Sequence, residues 1–340
     1  MTGQTDKSTP RGYIDRYIDL HCHLDGSITP DIAKRLAEIQ NFELPGKDDA
    51  ELEKYLTVRP ESASLTDMLS CFDLALQLLQ TKTALSEAVF LVGERMRSHG
   101  VIYAEYRFAP QLHTKKGMSQ EEAVISALDG LKRTKLKANL ILCCMREGDE
   151  AANLETIEIA KKYLTEDGGV VAVDLAGDES RYPTKNYAGI IAKAAEYNIP
   201  FTVHAGEADG ADSVRAAIGF GTSRIGHGIR MNEDPELDGM IREKGITLEV
   251  CPTSNLITDA TGGEENYPFM DYLDRGIKVT INSDDPAIEG ITIADEFKYM
   301  EKRFGLTPEQ ERKILGYSVD AAFTTERVKA KLRKLLGLDG

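Results

Sequence analysis

Short apolar runs that alternate with longer amphipathic stretches are the feature that most constrains how this sequence can fold. Several runs, such as NLILCCM at 139–145 and VVAVDL at 170–175, are apolar on both faces. Strands of this kind are typical of parallel sheets that helices cover on both sides. The pattern predicts eight strands, at Tyr17–Leu20, Val101–Phe108, Asn139–Met145, Val170–Leu175, Ile199–Val203, Ser223–Gly226, Ile246–Val250 and Ile277–Asn282.

The stretches between these strands carry signals that start helices. Thr29-Pro30 places an N-cap residue before a proline, and Ser119 with Glu122 forms a capping box. Thr307-Pro308 with Gln310 repeats that signal. Strands that alternate with helices predict an α/β fold, a (β/α)8 TIM barrel with extra C-terminal helices. The alternative is an open doubly wound sheet, but the glycine-rich phosphate-binding turn that such a sheet needs is not found.

The length of the chain fits one barrel with insertions. It has 340 residues, of which 41% are apolar, so we expect residues 1–340 to form a single domain. About eighty residues separate the first two predicted strands. Catalytic barrels carry extra material in the loops at the barrel mouth. We therefore predict a helical insertion over the mouth at 29–100, and we expect residues 1–12 to be flexible.

The composition of the chain limits the kinds of partner that it can bind and the cellular compartment in which it is expected. The formal charge is −15 and no long basic run occurs, which argues against nucleic acid and against an anionic membrane. No run approaches the roughly 20 apolar residues of a membrane span, and the first twenty residues lack the apolar core of a secretory signal. The five cysteines show no disulfide spacing. We therefore expect reduced thiols, a cytoplasmic protein and a small-molecule partner; the oligomeric state is not predicted.

Six polar motifs follow or close predicted strands. Side chains at the strand ends of one closed sheet converge in space despite long separations in sequence. The motifs therefore predict a single site that is rich in imidazoles and carboxylates. They are His21-Cys22-His23, Asp174-Leu175-Ala176-Gly177, His204-Ala205-Gly206-Glu207, Gly226-His227-Gly228, Cys251-Pro252-Thr253-Ser254-Asn255 and Asp284-Asp285-Pro286.

The histidines of this set predict a metal site. His21 and His23 are two residues apart, so extended backbone points both imidazoles to one side. Alone, such a pair is often just two polar residues at a strand end. His204 and Asp284, at the ends of two other predicted strands, complete a plausible zinc site with a position left open for water. A bound zinc ion would lower the pKa of that water to near 7.

The remaining groups offer an acid and a base. His227, between two glycines, is either a fifth ligand or a general base. Glu207 lies in the turn beyond its strand, where apolar walls and neighbouring acids can keep it protonated for use as a general acid; it also suits the N-cap of the next helix. Two-metal barrels commonly place a bridging lysine or acid at the end of strand four, and Asp174 leaves that possibility open. We favour one zinc ion, with His227 as the base.

Other residues of the motifs suit substrate contacts. Consecutive residues at a strand end point in different directions, so Asp285 can bind a substrate nitrogen while Asp284 faces the metal. Gly177 leaves its backbone N–H accessible to a ring atom, and Asp25 can bind a hydroxyl at the rim. His99 and His113 lie outside the set, and we interpret both as ordinary surface or loop histidines.

With these residues identified, the chain resembles the adenosine deaminase family of the amidohydrolase superfamily. The resemblance runs from about Tyr17 to Ala322 through DLHCHLDGS, EYRFAP, DLAGDE, TVHAGE, RIGHG, CPTSN and NSDDP. It implies a (β/α)8 barrel with one zinc ion, held by His21, His23, His204 and Asp284. It also implies that Glu207 protonates purine N1 and that His227 orients and deprotonates the water that attacks C6. Substrate contacts would come from Asp285 at N7, Gly177 at N3, Asp25 at the ribose 5′-hydroxyl, and His23.

Three alternatives are weighed against a nucleoside substrate. Relatives that deaminate free adenine often carry an acid before the base-like histidine, where this chain has Gly226. A nucleotide such as AMP would need an arginine cluster, whereas the motif ends concentrate acids. A non-catalytic zinc-binding barrel would not need Glu207 or His227. The second zinc deaminase class, which uses Pro-Cys-x-x-Cys, is excluded because the sequence has no Cys-x-x-Cys.

Overall fold

The computed structural model describes residue 13 and residues 15–58 and 65–338. Within these residues the chain forms eight strands and fourteen helices. The strands are β1 (Tyr17–His23), β2 (Val101–Phe108), β3 (Lys137–Met145), β4 (Val170–Ala176), β5 (His204–Ala205), β6 (Arg224–His227), β7 (Thr247–Val250) and β8 (Lys278–Ile281). The helices are α1 (Pro30–Gln40), α2 (Asp49–Leu56), α3 (Leu65–Leu78), α4 (Lys82–Ser98), α5 (Gln120–Arg133), α6 (Glu150–Tyr163), α7 (Ala188–Glu196), α8 (Ala211–Phe220), α9 (Glu236–Lys244), α10 (Pro252–Ile257), α11 (Phe269–Asp274), α12 (Ile293–Phe304), α13 (Pro308–Ala321) and α14 (Glu326–Leu336).

The strands form a closed parallel barrel. β1 to β4 pair in order as one parallel sheet, and β5 to β8 pair in order as a second. The two sheets join at both outer edges through parallel bridges between Val173 and Phe201 and between Cys22 and Asp284. The second junction carries hydrogen bonds of 2.8 Å from His23 N–H to the Asp284 carbonyl and 2.9 Å from Asp284 N–H to the His21 carbonyl. The predicted (β/α)8 barrel is therefore confirmed.

The fifth strand departs from its prediction. Ile199–Val203 was the predicted strand, but β5 contains His204 and Ala205, and the predicted segment pairs with β4 only at the Phe201 bridge. Pro200 has no backbone N–H to donate to a ladder, so this apolar segment is buried without forming a continuous strand. The other seven predicted strands overlap the observed ones, and β1 continues to His23.

The long connection between β1 and β2 is largely helical where the structure describes it. It contains α1 to α4, and α3 places Phe72, Asp73 and Leu76 in the wall of a cavity at the carboxyl ends of the strands. The extra C-terminal helices α12, α13 and α14 follow β8. The predicted flexibility of residues 1–12 lies outside the described residues.

Local helix signals and the cysteines also behave as predicted. Ser119 with Glu122 and Thr307 with Gln310 form complete capping boxes. Pro30 is the first residue of α1, although the Thr29 side chain makes no capping bond. All five cysteines lie in the described part of the chain, where each is buried and none forms a disulfide. In the described part of the chain no helix combines the length and the apolar character that crossing a bilayer requires.

Candidate active site

Four predicted ligand residues converge at the carboxyl ends of the strands. His21 and His23 close β1, His204 opens β5, and Asp284 follows β8. One ligand atom from each lies within 4.8 Å of the others. Asp284 Oδ1 is 3.3 Å from His21 Nε2 and 3.4 Å from His23 Nε2, and the Nε2 atoms of His23 and His204 are 3.2 Å apart. The structure therefore brings together a set of donors that can hold a metal ion.

The chemistry of these donors fits a metal ion. Three imidazole nitrogens and one carboxylate oxygen form a common zinc ligand set. His21 Nε2 is buried and has no hydrogen-bond partner among the described residues, which leaves it free to bind an ion. Its other ring nitrogen, Nδ1, lies 2.8 Å from Glu249 Oε2, and His204 Nδ1 lies 2.9 Å from Asp174 Oδ2. These carboxylates hold each ring with Nε2 toward the cluster, as carboxylates behind metal ligands do.

Arg107, whose role could not be inferred from the sequence, connects the two supporting carboxylates. It is fully buried and donates to Asp174 at 2.7 Å and to Glu249 at 2.6 Å. Arg224 extends the network, because it donates to Glu249 and to Glu105, each at 2.5 Å. Asp174, considered above as a bridge between two metals, is thus engaged with Arg107 and His204. No metal-ligand group found among the described residues includes it.

Replacing Arg107 is expected to destabilise the whole protein. Arg107→Met leaves the carboxylates of Asp174 and Glu249 buried without their shared cation, which costs about 3–5 kcal/mol of the free energy of unfolding. Urea denaturation measures this loss. Arg215→Met is the control. The Arg215 side chain is 39% exposed, and its ion pair with Asp234 contributes less than about 1 kcal/mol to the free energy of unfolding. Equal and small losses in the two variants would contradict a structural role for the Arg107 network.

His227 and Glu207 lie beside the metal-ligand cluster. His227 Nε2 is 3.5 Å from Glu207 Oε2 and 3.7 Å from Asp284 Oδ2. Its Nδ1 contacts the side-chain amide of Asn255 at 3.0 Å, which fixes the ring with Nε2 toward the cavity. His227 also belongs to a second possible ligand group with His21, Cys251 and Asp284, so the position of its ring suits either predicted role.

Two site residues have an unusual backbone conformation. His227 and Asp284 have φ angles of 58° and 52°, in the left-handed region that few residues other than glycine adopt. Such conformations are retained where the surrounding structure enforces them, and they are concentrated at functional sites. His227 closes β6, and Asp284 lies three residues beyond the end of β8.

Three acids of the cavity have raised pKa values. Burial, reinforced by the Asp284 carboxylate, raises the pKa of Glu207. Burial and the neighbouring acids, Asp284 first, raise the pKa of Asp285 well above its ordinary value. Burial alone raises the pKa of Asp25 to about 6. Asp25, which the sequence analysis placed at the rim, is 7% exposed and lines the cavity.

These groups face one cavity of about 480 Å³. Gly177 lines it with a φ of 103°, which favours glycine, and a β-carbon there would lie 2.2 Å from the carboxylate of Glu147. The predicted ligands His23, His204 and Asp284 and the predicted substrate contacts Asp25, Gly177 and Asp285 all line this cavity, together with Glu207 and His227. Phe72, Leu76, Leu112 and Met145 form an apolar wall.

His113, predicted to be a surface or loop histidine, lies in the loop after β2 but not at the surface. It is fully buried, its Nδ1 lies 3.0 Å from the carbonyl oxygen of Leu79, and its ring packs 5.6 Å from that of Phe108. Burial lowers its pKa to about 4. The side chain therefore fastens the loop after β2 to the end of α3. His99, at the C-terminal end of α4, is partly exposed, as predicted.

Sequence reasoning assigned no role to four supporting residues: Arg107, Glu179, Glu249 and Asn255, the last of which ends one of the six motifs. A usable signal existed for two of them. Arg107 and Glu249 are charged residues inside otherwise apolar strand runs, which indicates buried pairing. Glu179 lies in a loop and Asn255 in the short helix α10, and the sequence gives no direction for either side chain.

A parallel barrel that gathers three imidazoles and a carboxylate at the carboxyl ends of its strands has the architecture of the metal-dependent amidohydrolases. The sequence profile described as adenosine deaminase matches residues 17–337. The chain therefore belongs to the adenosine deaminase family and is an enzyme of the hydrolase class.

Similar proteins agree with this assignment. The chain is 43% identical to an adenosine deaminase of Haemophilus ducreyi, over 93% of this chain and 94% of that protein. It is 39% identical to one of Clostridium botulinum, over 94% and 97%. Among solved structures, an adenine deaminase from Arthrobacter aurescens superposes with a TM-score of 0.85 at 26% identity, covering 96% of this chain and 99% of that one. A zinc-bound amidohydrolase from Burkholderia ambifaria shares the fold, with a TM-score of 0.83 at 20% identity over 95% and 90%.

Proposed function

We propose that the protein is a zinc-dependent adenosine deaminase, which hydrolyses adenosine and 2′-deoxyadenosine to inosine or deoxyinosine and ammonia. The observation that carries the proposal is the convergence of the four-residue ligand cluster, Glu207 and His227 on one cavity. The relatives at 39% and 43% identity, both named adenosine deaminase, support the substrate.

We propose that one zinc ion per chain is held by His21, His23, His204 and Asp284. The closeness of the four ligand atoms and the unpartnered Nε2 of His21 support this assignment, and so does the zinc bound in the Burkholderia ambifaria amidohydrolase. The ion would supply Lewis-acid chemistry, since zinc lowers the pKa of a water that it binds to near 7.

His227 and Glu207 carry out the proton transfers of the deamination. Nε2 of His227 takes a proton from the water whose oxygen attacks purine C6, and Glu207 donates its own proton to N1. The carbon becomes tetrahedral, and its bond to the amino nitrogen then breaks. His227 returns its proton to the leaving nitrogen, which departs as ammonia, while the new hydroxyl gives its proton to Glu207. The raised pKa of Glu207 supports its role as the proton carrier.

The contact between His227 and Asn255 is compatible with this role. An amide can present either its oxygen or its nitrogen to Nδ1. With the oxygen toward the ring, Nδ1 donates its hydrogen and Nε2 is free to accept the proton of the water. In the structure the amide nitrogen faces Nδ1, and the Tyr267 hydroxyl donates to the amide oxygen at 3.3 Å. A 180° rotation of the amide reverses both contacts, and the hydroxyl can then accept instead of donate.

Four residues that line the cavity are assigned to contacts with the substrate. A protonated Asp285 donates to N7, and its raised pKa supports protonation at neutral pH. The N–H of Gly177 donates to N3, Asp25 binds the ribose 5′-hydroxyl, and His23 contacts the reacting face of the purine. The apolar wall formed by Phe72, Leu76, Leu112 and Met145 suits a base and a sugar.

The charges of the cavity support an unphosphorylated substrate. Among the described residues that line it, eight are acidic, and Arg230 is the one permanent cation. Arg230 is already engaged, donating to Glu233 at 2.7 Å and to the carbonyl of Ala208 at 2.9 Å. A phosphate would face acids without a free cation to bind it.

Adenine is the second candidate substrate, because the Arthrobacter aurescens neighbour is named adenine deaminase. Gly226 argues against it. A β-carbon at this position would lie 3.0 Å from His21 Cε1 and 3.2 Å from His204 Cα, so the present packing excludes the acid that adenine-specific relatives often carry. We further propose that residues 1–340 work as one domain in the cytoplasm, where the buried free thiols stay reduced.

An ultraviolet absorbance assay on adenosine, 2′-deoxyadenosine, adenine and AMP tests the proposed function. We expect adenosine to have a kcat/KM at least about 100-fold higher than adenine or AMP. Adenine lacks the ribose hydroxyl that Asp25 would bind, and the phosphate of AMP would face the acids of the cavity. A parallel series with a chelator provides the control. Faster turnover of adenine or AMP would overturn the substrate assignment, and no turnover of any purine would favour a non-catalytic barrel.

A further inference from the structure

The turn that carries Glu207 is not held by the barrel sheet. β5 has two residues, and its ladder with β6 ends where Ala205 pairs with His227. Residues 206–209 lie beyond the strand and before α8 begins at Ala211. The N–H groups of this turn therefore need an acceptor other than a neighbouring strand.

One carboxylate accepts all four of these N–H groups. Glu179 Oε1 accepts from Gly206 at 2.7 Å. Glu179 Oε2 accepts from Glu207 at 2.9 Å, Ala208 at 2.7 Å and Asp209 at 3.2 Å. The Glu179 residue is 3% exposed, so water does not compete for these bonds. Hydrogen bonds to an ionised acceptor are among the stronger ones in proteins.

The predicted metal ligand in the same segment has separate anchors. The His204 ring is oriented by Asp174, and its carbonyl accepts from Arg146. The backbone on either side of it bonds to β6, since Gly226 N–H donates to Val203 at 2.9 Å and Gly228 N–H donates to Ala205 at 3.0 Å. Loss of the Glu179 carboxylate would therefore loosen the turn at Glu207 while leaving His204 in place.

We propose that Glu179 is a positioning residue that holds Glu207 in register with the reacting purine by fixing the backbone of residues 206–209. The proposal rests on the proposed function, in which Glu207 is the proton donor. Glu179 lies two residues after Gly177, so the loop that fixes the acid also carries a predicted substrate contact. Displacing a catalytic group by about 1 Å can cost 10²-fold in rate.

Glu179→Gln is the direct test. The amide matches the carboxylate in shape, but its NH2 group would face N–H donors and can accept none of their bonds. We expect kcat per bound zinc to fall about 10- to 100-fold with zinc content unchanged. We also expect amide hydrogen exchange in the peptide that covers 206–209 to accelerate at least about tenfold. The exchange measurement does not depend on activity.

Two further variants complete the design. Glu94→Gln is the matched control, because Glu94 accepts the N–H of Lys135 at 2.8 Å, before β3 begins, and is not among the described residues that line the cavity; neither kcat nor exchange at 206–209 should change. Glu179→Asp keeps the charge but is one methylene shorter, and partial rescue of kcat relative to Gln is expected. It also serves if the Gln variant fails to fold.

The outcomes are separable. Unchanged kcat or unchanged exchange in Glu179→Gln overturns the positioning role, and so does a fall in kcat that only follows loss of zinc. If the wild-type protein does not deaminate adenosine, the proposed function fails. The exchange result then decides by itself whether Glu179 fixes the turn.

Discussion

Glu207→Gln is expected to lower kcat for adenosine by about 10²- to 10⁴-fold, because the amide cannot donate a proton to N1 and then recover one. The zinc content and the free energy of unfolding should stay close to those of the wild type. Glu207 is not one of the four proposed ligands; its Oε2 lies 3.5 Å from His227 Nε2, and its side chain is 23% exposed. Steady-state kinetics with metal analysis of the same preparations measures both effects.

Asp259→Asn is a suitable control for Glu207→Gln. Asp259 also lines the cavity but is exposed and lies outside the predicted proton path. The same change of acid to amide there should leave kcat within a few-fold of the wild type. Turnover by Glu207→Gln at a comparable level would reject Glu207 as the proton donor.

Asp284→Ala is expected to release the metal. The change removes the one carboxylate of the cluster and leaves three imidazoles at the end of the barrel. Loss of an outer-shell partner alone typically costs 10- to 100-fold in metal affinity, so loss of a ligand should cost more than about 100-fold. Zinc content after dialysis against a weak chelator measures this directly, and adenosine turnover should fall with it.

The neighbouring residue provides the control for this variant. Asp285→Ala alters the adjacent carboxylate, which is not among the four predicted ligands. It should keep its zinc while kcat/KM falls, because the contact with N7 is lost. Full zinc occupancy in Asp284→Ala, or equal loss of zinc in both variants, would remove Asp284 from the proposed ligand set.

The fold was predictable because a parallel barrel imposes a strong pattern on its sequence. Strands buried on both faces produce apolar runs, and helix caps such as Ser119 with Glu122 mark where helices begin. The prediction failed at β5, because the apolar segment before it does not form continuous hydrogen bonds with the neighbouring strands. Ile199–Val203 is apolar enough for a strand, but Pro200 withholds a donor. The apolar pattern of a sequence indicates which residues are buried, whereas a strand is defined by its backbone hydrogen bonds to a neighbouring strand.

The residues of the strand-end motifs that form the candidate site could be predicted from the sequence. Because carboxyl ends of parallel strands meet at one edge, the position of a residue at a strand end predicted which groups converge. The residues behind them could not be inferred in the same way. Arg107 pairs with Asp174 and Glu249 across the barrel, and a single sequence does not say which strands face each other. The position of Glu179 beneath the turn at 206–209 depends on the path of a loop.

Metal depletion and reconstitution of the wild-type protein test the central claim most directly. We predict about one zinc ion per chain, loss of adenosine turnover when a chelator removes it, and recovery when one equivalent of zinc is restored. Undiminished conversion of adenosine to inosine by protein shown to be free of metal would contradict the account.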